Sequence, residues 1–219
     1  LNMELKKVYI YRMTHIKNIP HILKYGITHK NSPNANPNYE EIGDISLIST
    51  RSTKRVYINN GDLSVAGQSI ILGDFIPFYF GVRMPMLYVV QHGGNFVKKA
   101  VPPSDIIYLA CPIFKVTMEQ DHYYYTNGHA TESFTSFFDK SKIHDLPNNI
   151  NWAAVTARYW GGNENLMLKW QKQAEFLAQN DVSPICVTNF VCYDEIAKNK
   201  LISMGIDSFK IKVVPEAYY

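Results

Sequence analysis

Gln173-Ala174-Glu175-Phe176-Leu177-Ala178 is an apolar run headed by one carboxylate. Phe176, Leu177 and Ala178 have the short, continuous apolar character of a buried strand. A carboxylate at the head of such a strand loses its hydration on folding unless a cation or hydrogen-bond donors meet it. Two readings of Glu175 stand at this point: a functional acid held by such partners, or a strand-edge residue facing water, where most glutamates sit.

Upstream, Tyr159-Trp160-Gly161-Gly162 opens a polar, Gly/Asn-rich segment, 161–171. Farther out, the pattern predicts strands at 8–11, 75–81, 106–111, 123–125, 186–191 and 209–213. Pro77 marks the second of these as an edge or bulged strand. Helices are expected at 18–25 and 84–90, each with proline in its first turn, and at 131–138, 151–159 and 194–204. Residues 27–44 form a long Asn/Pro/Gly-rich loop of the kind that carries function when ordered. Ile45–Ile48 reads as an apolar anchor, with Arg51 and Arg55 behind it. Strands and helices mix without strict alternation, so the class is α+β, in a single domain over 1–219.

The chain has 219 residues, 46% hydrophobic and 19% charged, which excludes a disordered protein. A net charge of +3 permits an anionic partner without requiring one. Cys111, Cys186 and Cys192 sit in apolar runs without CxxC spacing, as expected of buried free thiols in a reducing compartment. Residues 1–7 lack the apolar core of a secretory leader, and no run is long enough for a membrane span. A cytoplasmic protein without a membrane partner is expected.

There is no GxGxxG, Walker loop, GxSxG or HExxH. His15/His21 and His122/His129 lack zinc spacing and a carboxylate framework, so no metal is expected. What remains is a set of polar residues at strand ends: Arg12, Thr14, His15, Arg51, Arg55, His129 and Glu175. Each has an ordinary structural reading, His15 as a helix-start cap, Arg51 as a surface cation, His129 as a turn residue. Together they lie where α+β folds assemble sites.

Several blocks, taken in order, resemble the DarT family of bacterial toxins that ADP-ribosylate DNA bases. They are Tyr11-Arg12-Met13-Thr14-His15, Asp74-Phe75-Ile76-Pro77-Phe78-Tyr79-Phe80 with Arg83-Met84-Pro85-Met86-Leu87, Thr126-Asn127-Gly128-His129, Asn151-Trp152, Arg158-Tyr159-Trp160 and Gln173-Ala174-Glu175. The resemblance runs along nearly the whole chain to the aromatic Tyr218-Tyr219, and the D-x-x-P-F-Y-F block is its most specific part. It implies an ADP-ribosyltransferase fold, with two packed, mainly antiparallel sheets around an NAD cleft and flanking helices. It also implies catalytic roles for Glu175 and Arg51, with Arg55 as the alternative arginine. Arg12, Thr14, His15, Arg51 and Tyr79 would bind the dinucleotide, with the 27–44 loop lining its pocket and 161–171 forming the loop before Glu175 that shapes the acceptor site. His129, Tyr159 and Trp160 would lie on the acceptor side.

NAD+ would then be the ADP-ribose donor, single-stranded DNA the acceptor with thymine ahead of guanine, and no metal would take part. A cognate antitoxin of the ADP-ribosylglycohydrolase type is the implied protein partner. This chain departs from the family's pattern in places: Arg12 stands where some members have His, Asn127 where Asp is expected, Met84 where a small polar residue is expected, and the usual Trp before the C-terminal aromatics is missing. Two other readings keep the residues and change the role: the same fold acting on RNA or protein, or an inactive module that binds NAD or nucleic acid. Gln173, two positions before Glu175, argues against an arginine acceptor. Tyr88 reads better as core than as a stacking platform.

Overall fold

The computed structural model describes residues 5–94 and 96–219. Residues 1–4, part of the stretch read above for a leader, lie outside the described residues. Strand β1 (Tyr9–His15) passes through a 3-10 turn into helix α1 (Ile19–Tyr25), which ends at Gly26. After the 27–44 loop come α2 (Ile45–Thr53) and a small ribbon, β2 (Arg55–Tyr57) and β3 (Ser69–Ile71). Then follow β4 (Ile76–Tyr79), α3 (Pro85–His92), β5 (Ile106–Pro112), α4 (Ile113–Met118), β6 (Tyr123–Thr126) and β7 (Phe137–Asp139). Short helices α5 (Leu146–Asn149), α6 (Trp152–Thr156) and α7 (Leu166–Lys172) precede β8 (Glu175–Ala178). The chain closes with β9 (Asn189–Cys192), α8 (Glu195–Ser203) and β10 (Ile211–Val213).

Eight strands join in the order β10-β9-β5-β1-β4-β8-β6-β7, and β2-β3 stand apart. All neighbours are antiparallel except β9 and β10. The large sheet is nearly divided in the middle. β1 pairs with β5 along its whole length, Tyr9↔Pro112 to His15↔Ile106, but meets β4 at Tyr11↔Tyr79 alone. Pro77 explains the split. Its carbonyl points toward β1, where Arg12 Nη1 donates to it at 2.8 Å. The nitrogen of the same residue faces the same way and has no hydrogen to offer a ladder. An arginine side chain therefore bridges the two half-sheets where backbone pairing stops, and a cleft opens there. Pro77 is central in the strand order, not at an edge, yet β4 behaves as the edge of its own half.

β5 buries every residue of both faces. On one side Ile10, Phe78, Leu109 and Phe176 pack with Ile19 and Ile22 of α1, Ile113 and Val116 of α4 and Leu201 of α8. On the other, Tyr108 and Val191 pack with Leu87 and Val90 of α3 and with Tyr218. Each fully buried side chain of this size contributes about 1.5–3 kcal/mol before ordering costs. The cysteines are free and buried within these layers.

Several local expectations are corrected. Strand β1 runs to His15, so Arg12 and Thr14 are inside it and not beyond its end. The apolar anchor at 45–48 is the first turn of a helix with no buried residue; Ile45 and Ile48 remain 42% and 37% exposed. The 131–138 stretch is no helix but turns leading into β7, because Thr135 Oγ1 donates to the His129 carbonyl and Asn127 Oδ1 accepts from Ser136 N. The loop at 161–171 contains most of α7. Tyr88 is not core: it is 44% exposed and stacks on His92, one turn ahead, at 4.1 Å.

Candidate active site

Glu175 is the first residue of β8 and is 1% exposed. The head-of-strand carboxylate is therefore buried, and its partners are present. Arg51 Nη1 donates to Oε1 at 3.1 Å, and Arg51 Nη2 lies 2.9 Å from Oε2. The second contact is close but out of line for a hydrogen bond, so Nη2 and Oε2 keep unspent bonding capacity. Ala130 N adds a hydrogen bond to Oε1 at 3.2 Å. Burial opposes the charge on Arg51, but Glu175 beside it outweighs burial and holds the guanidinium above its ordinary value. Arg55 is elsewhere, exposed on the ribbon and donating to Ser69 Oγ. Arg51, and not Arg55, meets the acid.

Arg51 reaches inward because α2 is fixed at both ends. Asp44 caps it by accepting from Leu47 N at 3.0 Å. At the other end Gly73 lies against its backbone, so close that an added Cβ would stand 2.6 Å from Ser52 Cα. The 126–135 turn brings the remaining groups. Thr126 Oγ1 accepts from Glu175 N at 2.9 Å and donates to the Gly128 carbonyl at 2.7 Å. His129 N donates to the Trp170 carbonyl at 3.1 Å, and Trp170 Nε1 donates to Thr135 Oγ1 at 2.9 Å. Gly128 lies flat on the Trp170 indole, where a Cβ would come within 2.1 Å of the ring. Thus the turn is clamped between α7 and the head of β8. Burial pushes the His129 imidazole below its ordinary value, with Glu175 and Arg51 among the charges it senses.

Beside this constellation the cleft has two joined lobes. The larger, about 290 Å³, is lined by Arg12, Thr14, His21, His29, Leu72 and Phe75 among others. The smaller, about 140 Å³, reaches Tyr79, Met86 and Glu175. Arg12, Tyr39, Glu41, Ile48, Arg51 and Pro77 border both, so the two arginines stand at the neck. Burial, followed by the nearby Glu175 charge, raises the Tyr79 phenol well above its usual range.

The structure thus gathers Arg12, Thr14, Arg51, Tyr79, His129 and Glu175, but not every expected residue. His15 lies on the opposite face of β1 from Arg12 and Thr14, and its Nδ1 accepts from Lys17 N at 3.1 Å as a cap. It borders neither lobe. Tyr159 is 70% exposed. Trp160 donates through Nε1 to the Tyr219 hydroxyl and meets Tyr88 edge-on at 6.0 Å, in an aromatic cluster of its own. Tyr39 and Glu41 come from the 27–44 loop expected to line the pocket; residues given no role in the sequence include Thr126, Ala130 and Trp170. The D-I-S-L spacing at 44–47 could have found the start of α2, but nothing local marks Trp170. Among the described residues no three His, Cys, Asp or Glu side chains gather as metal ligands, and no helix is long and apolar enough to cross a membrane.

Comparison with known proteins follows the same lines. The family model described as DarT, ssDNA thymidine ADP-ribosyltransferase, matches residues 11–219. A DNA ADP-ribosyl transferase of Escherichia coli O127:H6 is 27% identical over 90% of this chain and 85% of its own. A DNA ADP-ribosyl transferase–glycohydrolase fusion protein of Thermosipho africanus is 27% identical over 94% of this chain and 48% of its own. The solved DarT of Thermus sp. 2.9 in complex with ADP-ribosylated ssDNA superposes with a TM-score of 0.78 at 22% identity, covering 97% of this chain and 96% of that one. The same protein in complex with NAD+ gives a TM-score of 0.73.

Proposed function

The chain belongs to the DarT family of ssDNA thymidine ADP-ribosyltransferases, and from that membership we propose how its own residues carry the reaction. It transfers ADP-ribose from NAD+ to thymidine in single-stranded DNA and releases nicotinamide. The observation that carries the assignment of roles is the buried Arg51–Glu175 pair at the neck of a two-lobed cleft.

The nicotinamide ribose sits in the smaller lobe at Glu175, and the rest of the dinucleotide extends past Arg12 and Arg51 into the larger lobe. Cleavage of the C1′–N bond develops positive charge on the ribose, which a fixed carboxylate stabilises where water is excluded. The unused capacity at Oε2 suits a ribose hydroxyl. Arg51 offers a planar fork to phosphate or to the developing charge on the acceptor. Thymidine has one ring nitrogen that bears a proton, N3. Transfer there forms the C1′–N3 bond, expels nicotinamide and frees one proton, which Glu175 takes directly or through His129. Arg12, Thr14 and Tyr79 hold the dinucleotide, and His129, on its clamped turn, faces the base. Tyr159, exposed beside Trp160, meets the strand outside the cleft.

Residues 1–219 act as one transferase domain in the cytoplasm, where DNA is accessible. Its partner is an antitoxin of the glycohydrolase type that removes the mark, the pairing seen within one chain in the Thermosipho fusion. The test is incubation with NAD+ and oligonucleotides with and without thymidine, with mass spectrometry for one added ADP-ribose. Gain only on thymidine-containing DNA supports the reading; gain on RNA or protein alone refutes it.

A further inference from the structure

Asn18 ends the turn before α1, is fully buried, and stands where a helix cap would, yet its side chain makes no capping bond. Its amide is used elsewhere. Oδ1 accepts from Glu40 N at 2.8 Å, while Nδ2 donates to the Glu40 carbonyl at 2.9 Å and to Thr14 Oγ1 at 3.0 Å. A backbone N–H can only donate, so the Glu40 contact fixes which end of the amide is oxygen. Both Nδ2 hydrogens are then committed, one of them to the Thr14 oxygen. Thr14 is 1% exposed and borders the larger lobe, and among the described residues its hydroxyl hydrogen has no acceptor. Buried hydroxyls seldom leave their hydrogen unused. The cavity that Thr14 borders is the larger lobe of the cleft.

The same amide holds the far end of the 27–44 segment. Its near end is fixed by the Ile27↔Val182 bridge and by Asp181, which accepts from His29 N at 2.8 Å and Ser32 Oγ at 2.5 Å. At the far end the Glu40 backbone grips Asn18, and the neighbours Tyr39 and Glu41 border both lobes. Among the described residues, the other polar contact of Glu40 is an exposed one with Lys17 at 3.8 Å, worth little.

We propose that Asn18 is a positioning residue for the donor dinucleotide: it fixes the 27–44 strap over the cleft and obliges Thr14 to present its hydroxyl as a donor to an oxygen of the bound ligand. This rests on the cleft being the NAD+ site. Asn18→Asp keeps the size but sets a carboxylate oxygen against the Glu40 carbonyl and gives Thr14 an acceptor outside the cleft. KM for NAD+ rises about 10-fold or more while kcat stays within about 3-fold, as expected when ground-state binding alone is lost. Thr14→Val raises KM by a similar factor and Thr14→Ser does not. Amide hydrogen exchange over 33–42 speeds up in Asn18→Asp.

Arg12→Ala separates the two levels of the argument. If it raises KM but Asn18→Asp changes neither KM nor exchange, the role of Asn18 is overturned and the cleft stands. If none of the variants changes KM, the cleft is not the NAD+ site and the proposal falls with it. Should Asn18→Asp lose its cooperative unfolding transition, the Thr14 pair decides: valine weakened and serine intact supports the inference, and equal values overturn it.

Discussion

Removing one member of the Arg51–Glu175 pair isolates a buried charge. At about 3 Å and an effective dielectric of 20, the mutual attraction is on the order of 5 kcal/mol. It is offset by the desolvation both groups have already undergone. Arg51→Met leaves a 1% exposed carboxylate that, among the described residues, keeps the Ala130 amide as its hydrogen-bond donor and has no cation within ion-pair distance. Breaking a buried pair in this way costs about 3–5 kcal/mol. In a chain of this length each kcal/mol lowers Tm by about 2–4 °C, so a fall of roughly 6–20 °C is expected. Glu175→Gln strands Arg51 in the same way. The double variant Arg51→Met/Glu175→Gln loses much less than the sum, with a coupling of about 2 kcal/mol or more in urea unfolding. Arg51→Lys falls between, because a point charge cannot span both carboxylate oxygens. A coupling below about 0.5 kcal/mol, with each single variant as stable as the parent, would refute the reasoning: the pair would behave as a solvated surface contact.

Three further outcomes follow from the geometry. Gly73→Ala forces α2 outward from a 2.6 Å approach at Ser52; it costs about 1–3 kcal/mol and lowers turnover by displacing Arg51, measured by denaturation and by oligonucleotide modification. Burial holds the His129 pKa below 6.5 in the folded state, so the unfolded chain takes up that proton first as pH falls. Stability therefore declines from about pH 6.5 downward until the folded pKa is reached; His15 is shifted the same way by burial and adds to the slope, and His129→Asn flattens it. Lys172 is 1% exposed, bonded to the Val155 carbonyl at 2.8 Å, and lowered by burial to about 8. Its unfolded form holds the proton to higher pH, so stability rises between about pH 8 and 10.5. Lys172→Met removes that rise and raises stability at pH 7 by about 1–3 kcal/mol.

Much of this was legible in the chain because local chemistry and the fold agree. Pro85 and Gly93 bracket α3, Asp194 caps α8 by accepting from Ala197 N, and the apolar run after Glu175 is the buried strand it resembles. The illegible parts depend on distant partners. Helix α2 has no buried face to give it a periodicity; it is held by its Asp44 cap, by Gly73 and by an ion pair that spans 124 positions of sequence. Residues 131–138 carry helix-like spacing, but Thr135 and Asn127 bind the backbone as a turn instead. Pro77 announced an edge correctly in chemistry and wrongly in topology, since Arg12 from the next strand takes the place of a ladder bond. His15 and Thr14 could not be told apart until strand β1 was seen to continue through both, placing them on opposite faces.

The most direct test of the account is Glu175→Gln, assayed both for NAD+ binding by calorimetry and for turnover on a thymidine-containing single strand. Gln keeps the volume and an acceptor for the Ala130 amide while removing the charge. With its oxygen on the Ala130 amide, Gln presents NH2 where Oε2 meets the ribose hydroxyl, so the account predicts a Kd for NAD+ within about 10-fold of the parent and turnover lower by about 10³-fold. Turnover within 10-fold of the parent, from a folded variant that still binds NAD+, would contradict it.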